Sequence, residues 1–511
     1  MHILDAIDAH AKAHPDAIAL QCGTAEKSSW NLTYGELAEK SDRLAAYLSD
    51  RLGNDRRPLI VYGHKNPYML VCFLACAKSG RAYCPIDISV PQERILDIVE
   101  ETKAPIFFAT EPLEMDLPNV IELVNIEQII SNTTALISSS LRVKGEDVFY
   151  IIFTSGSTGK PKGVQITLNC LNHFIQWAVT LGETSLEGKN LIFLNQAPFS
   201  FDLSVMDLYM SLSLGGTLWT LEKEVQSDMR RLFVSFAQSQ ADVWVSTPSF
   251  ADMCLSDKSF EAGMLPNLSL FLFCGETLTN RTAKRLHQRF PDAAVVNTYG
   301  PTESTVAVTQ VLVTEELCRA ENPLPVGRPK PGTWIFIVGE DGRILPDGER
   351  GEIIIVGDSV SVGYYHRPKL TEKAFFLWKV DGQPYRAYRT GDEGYLRDGQ
   401  LYYCGRIDLQ IKLHGYRMEL GDIENNLLKL EDIKKAVVLP VVKEGAVKSL
   451  TAFLVPSSPV TNNFQAAQKI RKELARYLPA YMIPKKFIFL DTIPMTSNGK
   501  ADRNALKEML S

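Results

Sequence analysis

A chain of 511 residues exceeds what one hydrophobic core ordinarily organises, so two or more domains are expected. Hydrophobic residues at 45% and charged residues at 22% are ordinary for a soluble globular protein. A net charge of -6, with no block of Lys or Arg, argues against a nucleic-acid-binding surface.

The first ten residues, Met1 to His10, lack the cationic start and apolar stretch of a signal peptide. From Leu32 to Leu48 apolar residues recur every three or four positions, which predicts an amphipathic helix. Thr33 followed by Glu36 makes a capping box at its start. Pro58 to Gly63 reads as a short buried strand, and a second helical run leads to Gly80 and another strand. The most apolar part of that run, Met69 to Ala77, is too short to cross a bilayer, so no stable membrane insertion is expected. Cys72 and Cys76 fall on this apolar pattern and read as core packing, not metal ligands. Nine scattered cysteines without a CxxC pair suit a reducing cytoplasm.

Strand and helix patterns keep alternating through Val148–Phe153 and Ala241–Val245, which predicts an α/β domain with largely parallel sheets. Near residue 330 the texture changes to short strands separated by Gly/Asp turns, so a β-rich subdomain is expected at about 330–407. From Asp408 onward about a hundred residues suffice for a small α+β domain. The expected division is a large domain, 1–407, and a small mobile one, 408–511, with the hinge in Gly405-Arg-Ile-Asp-Leu.

After the strand ending near Phe153 comes Thr154-Ser-Gly-Ser-Thr-Gly-Lys-Pro-Lys-Gly163. Its glycines let the backbone turn tightly and aim N–H groups at an anion, while hydroxyls and lysines add donors and charge. Such a loop fits phosphates. It is neither a Walker A loop, since Lys160 is followed by Pro161, nor a dinucleotide fingerprint.

This loop strongly resembles the signature loop of the adenylate-forming superfamily, the group that includes acyl-CoA synthetases and peptide-synthetase adenylation domains. Further matches follow in that superfamily's order: Asn297-Thr-Tyr-Gly-Pro-Thr-Glu303, Tyr388-Arg-Thr-Gly-Asp392, Gly405 to Leu420 and Pro494-Met-Thr-Ser-Asn-Gly-Lys500. The resemblance spans nearly the whole chain. It implies an ATP- and Mg²⁺-dependent enzyme that joins a carboxylate to the α-phosphate. It implies that Thr154, Ser155, Gly156, Ser157, Thr158, Gly159 and Lys162 meet the phosphates. It assigns Asn297, Thr298, Tyr299, Gly300 and Pro301 to the adenine side, and Thr302 to the α-phosphate. Glu303 would meet Mg²⁺, and Asp392 the ribose, with Tyr403 and Arg406 nearby. Lys500 would bridge the substrate carboxylate and the α-phosphate, and Asp408 would be the hinge.

Pro198-Phe-Ser-Phe-Asp202-Leu-Ser matches an element that gives amino-acid-activating members a carboxylate for the substrate ammonium group. Asp202 also fits a helix N-cap. Within the superfamily the chain is most similar to the branch that activates D-alanine for teichoic acid D-alanylation. That resemblance places Cys274 beside the substrate methyl group and the carbonyl of Val306 beside the amine. It departs from the usual pattern at Ser157, Ser304 and Ala501, none of which removes a functional group. No carrier segment follows Lys500, so the implied acceptor is a phosphopantetheinylated D-alanyl carrier protein in trans. Another small amino acid, or a catalytically silent nucleotide-binding role, stays open at this point.

Overall fold

The computed structural model describes residues 2–22, 30–135, 137–156, 160–183, 190–320, 323–407, 410–443, 446–460, 462–495 and 501–510. The chain forms two compact units. The first comprises Met1–Ile88, Thr102–Ile152 and Gly163–Ile407, and the second Ser89–Glu101, Phe153–Lys162 and Asp408–Ser511.

Local chemistry accounts for the elements of the first unit. Glu36 N–H donates to Thr33 Oγ1 at 3.2 Å, and Glu36 accepts from Thr33 N–H at 3.0 Å, so the expected capping box starts the helix Tyr34–Leu52. Leu32 and Thr33 differ from the expectation of helix: they end the strand Trp30–Thr33, because the cap lets the helix begin only at Tyr34. The helix Pro67–Lys78 has Pro at its first position and an Asn66 cap, and Cys72 and Cys76 are buried in the core around it.

Among the described residues a nine-stranded sheet forms the centre of this unit. From edge to edge its strands are Arg328–Pro329, Thr309–Leu312, Ala294–Tyr299, Leu270–Phe273, Val243–Ser246, Ile192–Asn195, Thr217–Thr220, Ile18–Cys22 and Trp30–Thr33. The six inner strands pair parallel and the outer ones antiparallel. A six-stranded sheet pairs Leu59–Tyr62 in parallel with Tyr83–Ile86 and Phe107–Ala109. The expected β-rich part is a five-stranded antiparallel sheet containing Thr333–Val338, Gly351–Gly357, Phe375–Val380, Gln383–Arg397 and Gln400–Arg406. The fold class read from the sequence, α/β with parallel and mixed sheets plus a β-rich part, is the one observed.

The second unit has its own core, with Met418, Leu420, Ile423, Val438 and Leu450 at its centre. Strands Ile433–Lys443 and Ala446–Pro456 pair antiparallel, and Lys486–Phe489 adds in parallel. A hairpin joins Gln410–Leu413 to Tyr416–Glu419 through His414 and Gly415, at φ of 53° and 80°. Two consecutive positive φ values match the twist of a tight hairpin. Arg94 Nη1 reaches the fully buried Asp422 carboxylate at 3.0 Å, which ties the segment Ser89–Glu101 into this unit. No helix among the described residues is long and apolar enough to cross a membrane.

Candidate active site

Three of four consecutive strands in the nine-stranded sheet end at residues the sequence singles out. Ile192–Asn195 leads to Asp202, Leu270–Phe273 is followed at once by Cys274, and Ala294–Tyr299 runs through Gly300 and Pro301 into the short turn Thr302–Ser304. The carboxyl ends of parallel strands are where ligands gather in open α/β sheets.

Asp202 stands at the N-cap position of the helix Leu203–Leu214 but makes no side-chain capping bond. Instead its carboxylate accepts from Thr302 Oγ1–H at 2.6 Å. The two residues are 9% and 6% exposed, so this pairing is largely shielded from solvent. Tyr150 is a neighbour the sequence reading missed. Burial, followed by the Asp202 charge, pushes its phenol far above the usual range. Its hydroxyl has no partner among the described residues. An apolar strand residue ahead of a glycine loop offers no signal for this.

Cys274 Sγ lies 3.6 Å from the Val306 carbonyl oxygen, and both residues are buried. Thr305 and Val306 adopt positive φ, 62° and 66°. That conformation is strained for β-branched residues. It folds the chain back so closely that a Cβ on Gly300 would sit 2.5 Å from Ala307 Cα. The strain is the local cost of aiming the Val306 carbonyl where it points.

A second cluster surrounds Asp392. Its carboxylate accepts from Tyr299 O–H at 2.6 Å and from Arg406 Nη1 at 2.8 Å, and Arg406 also donates to the Thr390 carbonyl at 2.8 Å. Asp392 and Arg406 face each other across the strands Gln383–Arg397 and Gln400–Arg406, so sheet register sets this pair. Burial, then the neighbouring Asp392 charge, pushes the Tyr299 phenol far up. Tyr403 lies against Tyr299, ring centres 5.8 Å apart. Asn297 Nδ2 donates to the Pro325 carbonyl and Thr298 Oγ1 to the Phe273 carbonyl, so both side chains brace the loop.

Glu303 is fully buried and accepts from Tyr364 O–H at 2.8 Å. Tyr364 is a second partner that sequence spacing did not reveal. Among the described residues no group of three or more His, Cys, Asp or Glu side chains could cage a metal.

The glycine loop belongs to the second unit. Ser155 Oγ donates to the Arg417 carbonyl and accepts from Glu419 N–H, each at 3.1 Å. Thr154 Oγ1 is buried without a partner among the described residues, and Lys162 is 9% exposed. A Cβ at Gly156 would sit 2.2 Å from the Lys160 carbonyl oxygen, a clash with backbone that cannot rotate away. Gly156→Ala is therefore expected to cost about 1–3 kcal/mol of stability, because the Lys160 carbonyl must shift to admit the methyl group. An unchanged melting transition would show that this carbonyl moves aside without cost. Ser157, Thr158, Gly159, Asp408 and Lys500 lie outside the described residues.

Residues 7–365 match the family described as AMP-binding enzyme, and residues 422–500 match the AMP-binding enzyme C-terminal domain. The chain is 48% identical over 516 residues to a D-alanine–D-alanyl carrier protein ligase of Bacillus anthracis, covering 99% of both chains. Among solved structures it resembles an NRPS protein containing adenylation and PCP domains, with TM-score 0.83 and 24% identity over 99% of this chain and 84% of that one. It also resembles a double mutant of the o-succinylbenzoate CoA synthetase of Bacillus subtilis, with TM-score 0.83 and 21% identity over 98% of each chain. The last two likenesses concern the fold alone.

Proposed function

The chain belongs to the AMP-binding enzyme family, and on that premise we propose that it is a ligase that activates D-alanine with ATP and loads it onto a D-alanyl carrier protein in trans. In the first step a D-alanine carboxylate oxygen attacks the α-phosphorus of ATP. The bond to the bridging oxygen breaks and pyrophosphate leaves. In the second step the carrier's phosphopantetheine thiolate attacks the acyl carbon, and AMP leaves with the acyl C–O bonding pair. The thioester, formed in the cytoplasm, would serve lipoteichoic acid D-alanylation.

Joining two anions depends mainly on positioning and on charge placed where it develops. Asp202 takes the α-ammonium group, with the Val306 carbonyl beside it and Cys274 against the methyl group. Asp392 accepts from the ribose hydroxyls, while Arg406 and Tyr299 O–H hold its carboxylate in place. Asn297 to Pro301 and Tyr403 flank the adenine, Thr154 to Lys162 grip the phosphates, and Thr302, whose one hydroxyl proton is on Asp202 here, would turn it to the α-phosphate once the substrate ammonium takes its place. Lys500 bridges the reacting carboxylate and phosphate. A single buried carboxylate, Glu303, fits Mg²⁺, which takes most of its remaining ligands from phosphate and water. Bound there, the ion would neutralise phosphate charge. Residues 1–407 and 408–511 act as large and small domains about Asp408, so that one pocket serves both steps.

The observation that carries this reading is the 2.6 Å pairing of Thr302 with Asp202. It sets an amine-seeking carboxylate against the segment that meets the nucleotide, which an enzyme for uncharged acyl chains would not need. The test is amino-acid-dependent ATP–pyrophosphate exchange with D-alanine, L-alanine, glycine and D-serine, repeated with Asp202→Asn. Exchange is expected to be strongest with D-alanine. The variant should lose about a hundredfold in kcat/KM for it, since an unpaired buried ammonium costs several kcal/mol. Stronger exchange with another amino acid would move the substrate assignment, and no exchange with any would end the adenylation reading.

A further inference from the structure

Lys65 lies in the turn between the strand Leu59–Tyr62 and the helix Pro67–Lys78, and it is only 2% exposed. A buried ammonium group persists only where hydrogen bonds replace its lost water. Its Nζ donates to Asn195 Oδ1 and to the Ala197 carbonyl, and it lies 4.4 Å from the centre of the Phe199 ring. Asn195 Nδ2 in turn donates to both carboxylate oxygens of Asp207, at 3.0 Å each. One cation therefore grips the run that leaves the strand Ile192–Asn195 for Asp202. Through Asn195 it is also joined to the first turns of the helix that follows.

The turn carrying Lys65 is itself anchored. His64 N–H donates to Glu111 at 2.9 Å, and His64 Nδ1 meets the Asp87 carboxylate at 2.6 Å. A Cβ at Gly63 would sit 2.2 Å from Thr110 Oγ1, so any other residue there would have to displace that side chain. Burial pulls the Lys65 ammonium below its usual range, while the Asp207, Asp87 and Cys22 charges hold it up. A methionine of similar length would fill the same volume but leave the Ala197 carbonyl and the Asn195 side chain short of a donor.

We infer that Lys65 is a positioning residue for amino-acid recognition: it fixes the Pro198–Asp202 loop, so that the Asp202 carboxylate is presented to the substrate's ammonium group. This rests on the reading of Asp202 as the ammonium anchor. Because these contacts reach the loop that leads to Asp202 and not the Asp392 cluster, the effect falls on the amino acid and not on ATP.

The experiment is steady-state exchange with D-alanine and with ATP varied in turn, on Lys65→Met, Lys65→Arg, Asp207→Asn and Asp202→Asn, each checked by thermal melting. Lys65→Met is expected to raise the KM for D-alanine about tenfold, the worth of one or two buried hydrogen bonds, with the KM for ATP unchanged. Lys65→Arg should recover part of the loss. An unchanged KM for D-alanine, or an equal rise for both substrates, overturns the inference. Should Lys65→Met fail to fold, the near-isosteric Asp207→Asn serves, with a several-fold, D-alanine-specific rise expected and none overturning it. A wild-type KM for D-alanine in Asp202→Asn would sink the anchor itself and this inference with it. A defect in Asp202→Asn without one at Lys65 sinks the inference alone.

Discussion

Replacing Lys500 by Ala is expected to lower D-alanine-dependent pyrophosphate exchange about a thousandfold, while transfer from supplied D-alanyl-adenylate to the carrier thiol stays near wild type. Two anions approach each other in the first step, and the attacking carboxylate and the five-coordinate phosphorus together gather negative charge. One ammonium group between them is worth more in the transition state than in the ground state, so its loss appears in kcat. In the second step the adenylate already exists, the carbonyl of its acyl–phosphate anhydride is attacked by a thiolate, and no new bond to phosphorus forms. A cation assigned to the carboxylate–phosphate junction is then idle. Single-turnover transfer from chemically prepared D-alanyl-adenylate separates the two steps. Loss of both in Lys500→Ala would refute the division of labour about Asp408.

How much of this was legible in the sequence depended on distance along the chain. Thr33 and Glu36 lie three residues apart, and their reciprocal hydrogen bonds could be written down from the sequence alone. The ordered strings from Thr154 to Lys500 could be recognised because each is contiguous and resembles the adenylate-forming superfamily, and the match of residues 7–365 to the AMP-binding enzyme family bears out that resemblance. Asp202 could be read either as a cap or as an anchor, and only the fold shows it turned away from the helix N–H groups toward Thr302, a hundred positions on. The partners of the motif residues were hidden for the same reason. Tyr364 meets Glu303 through sheet and loop topology, and Tyr150 lies close enough to Asp202 to feel its charge. Lys65 is the extreme case. Nothing in His64-Lys-Asn-Pro67 marks it, and its partners Asn195 and Ala197 lie some 130 residues away. The positive φ values at Thr305 and Val306 were equally invisible, since two β-branched residues argue against the conformation that the return of the chain onto Gly300 imposes.

Asp392 connects stability to nucleotide binding, and the two can be measured apart. Its carboxylate is 1% exposed and neutralises Arg406, whose side chain is 8% exposed. It also accepts the Tyr299 hydroxyl. Removing it with Asp392→Ala takes a carboxylate from the buried Arg406 guanidinium and an acceptor from the buried Tyr299 hydroxyl, which is expected to cost about 3–5 kcal/mol of stability. The melting transition of the first unit should fall accordingly, and exchange should be lost. Asp392→Asn keeps the shape and one carbonyl oxygen for Arg406 or Tyr299, so it should lose less stability. It still removes the charge and one of the oxygens that would take the two ribose hydroxyls. Its KM for ATP should rise about tenfold or more, as expected when a charge-assisted pair of hydrogen bonds is weakened, with the KM for D-alanine unchanged. That is the reverse of the pattern expected at Lys65, so each pair of substrate titrations serves as the control for the other. An Asp392→Ala protein that melts like wild type would mean that Arg406 finds water or another acceptor. A normal KM for ATP in Asp392→Asn would remove Asp392 from the ribose site and leave it as a brace between two strands.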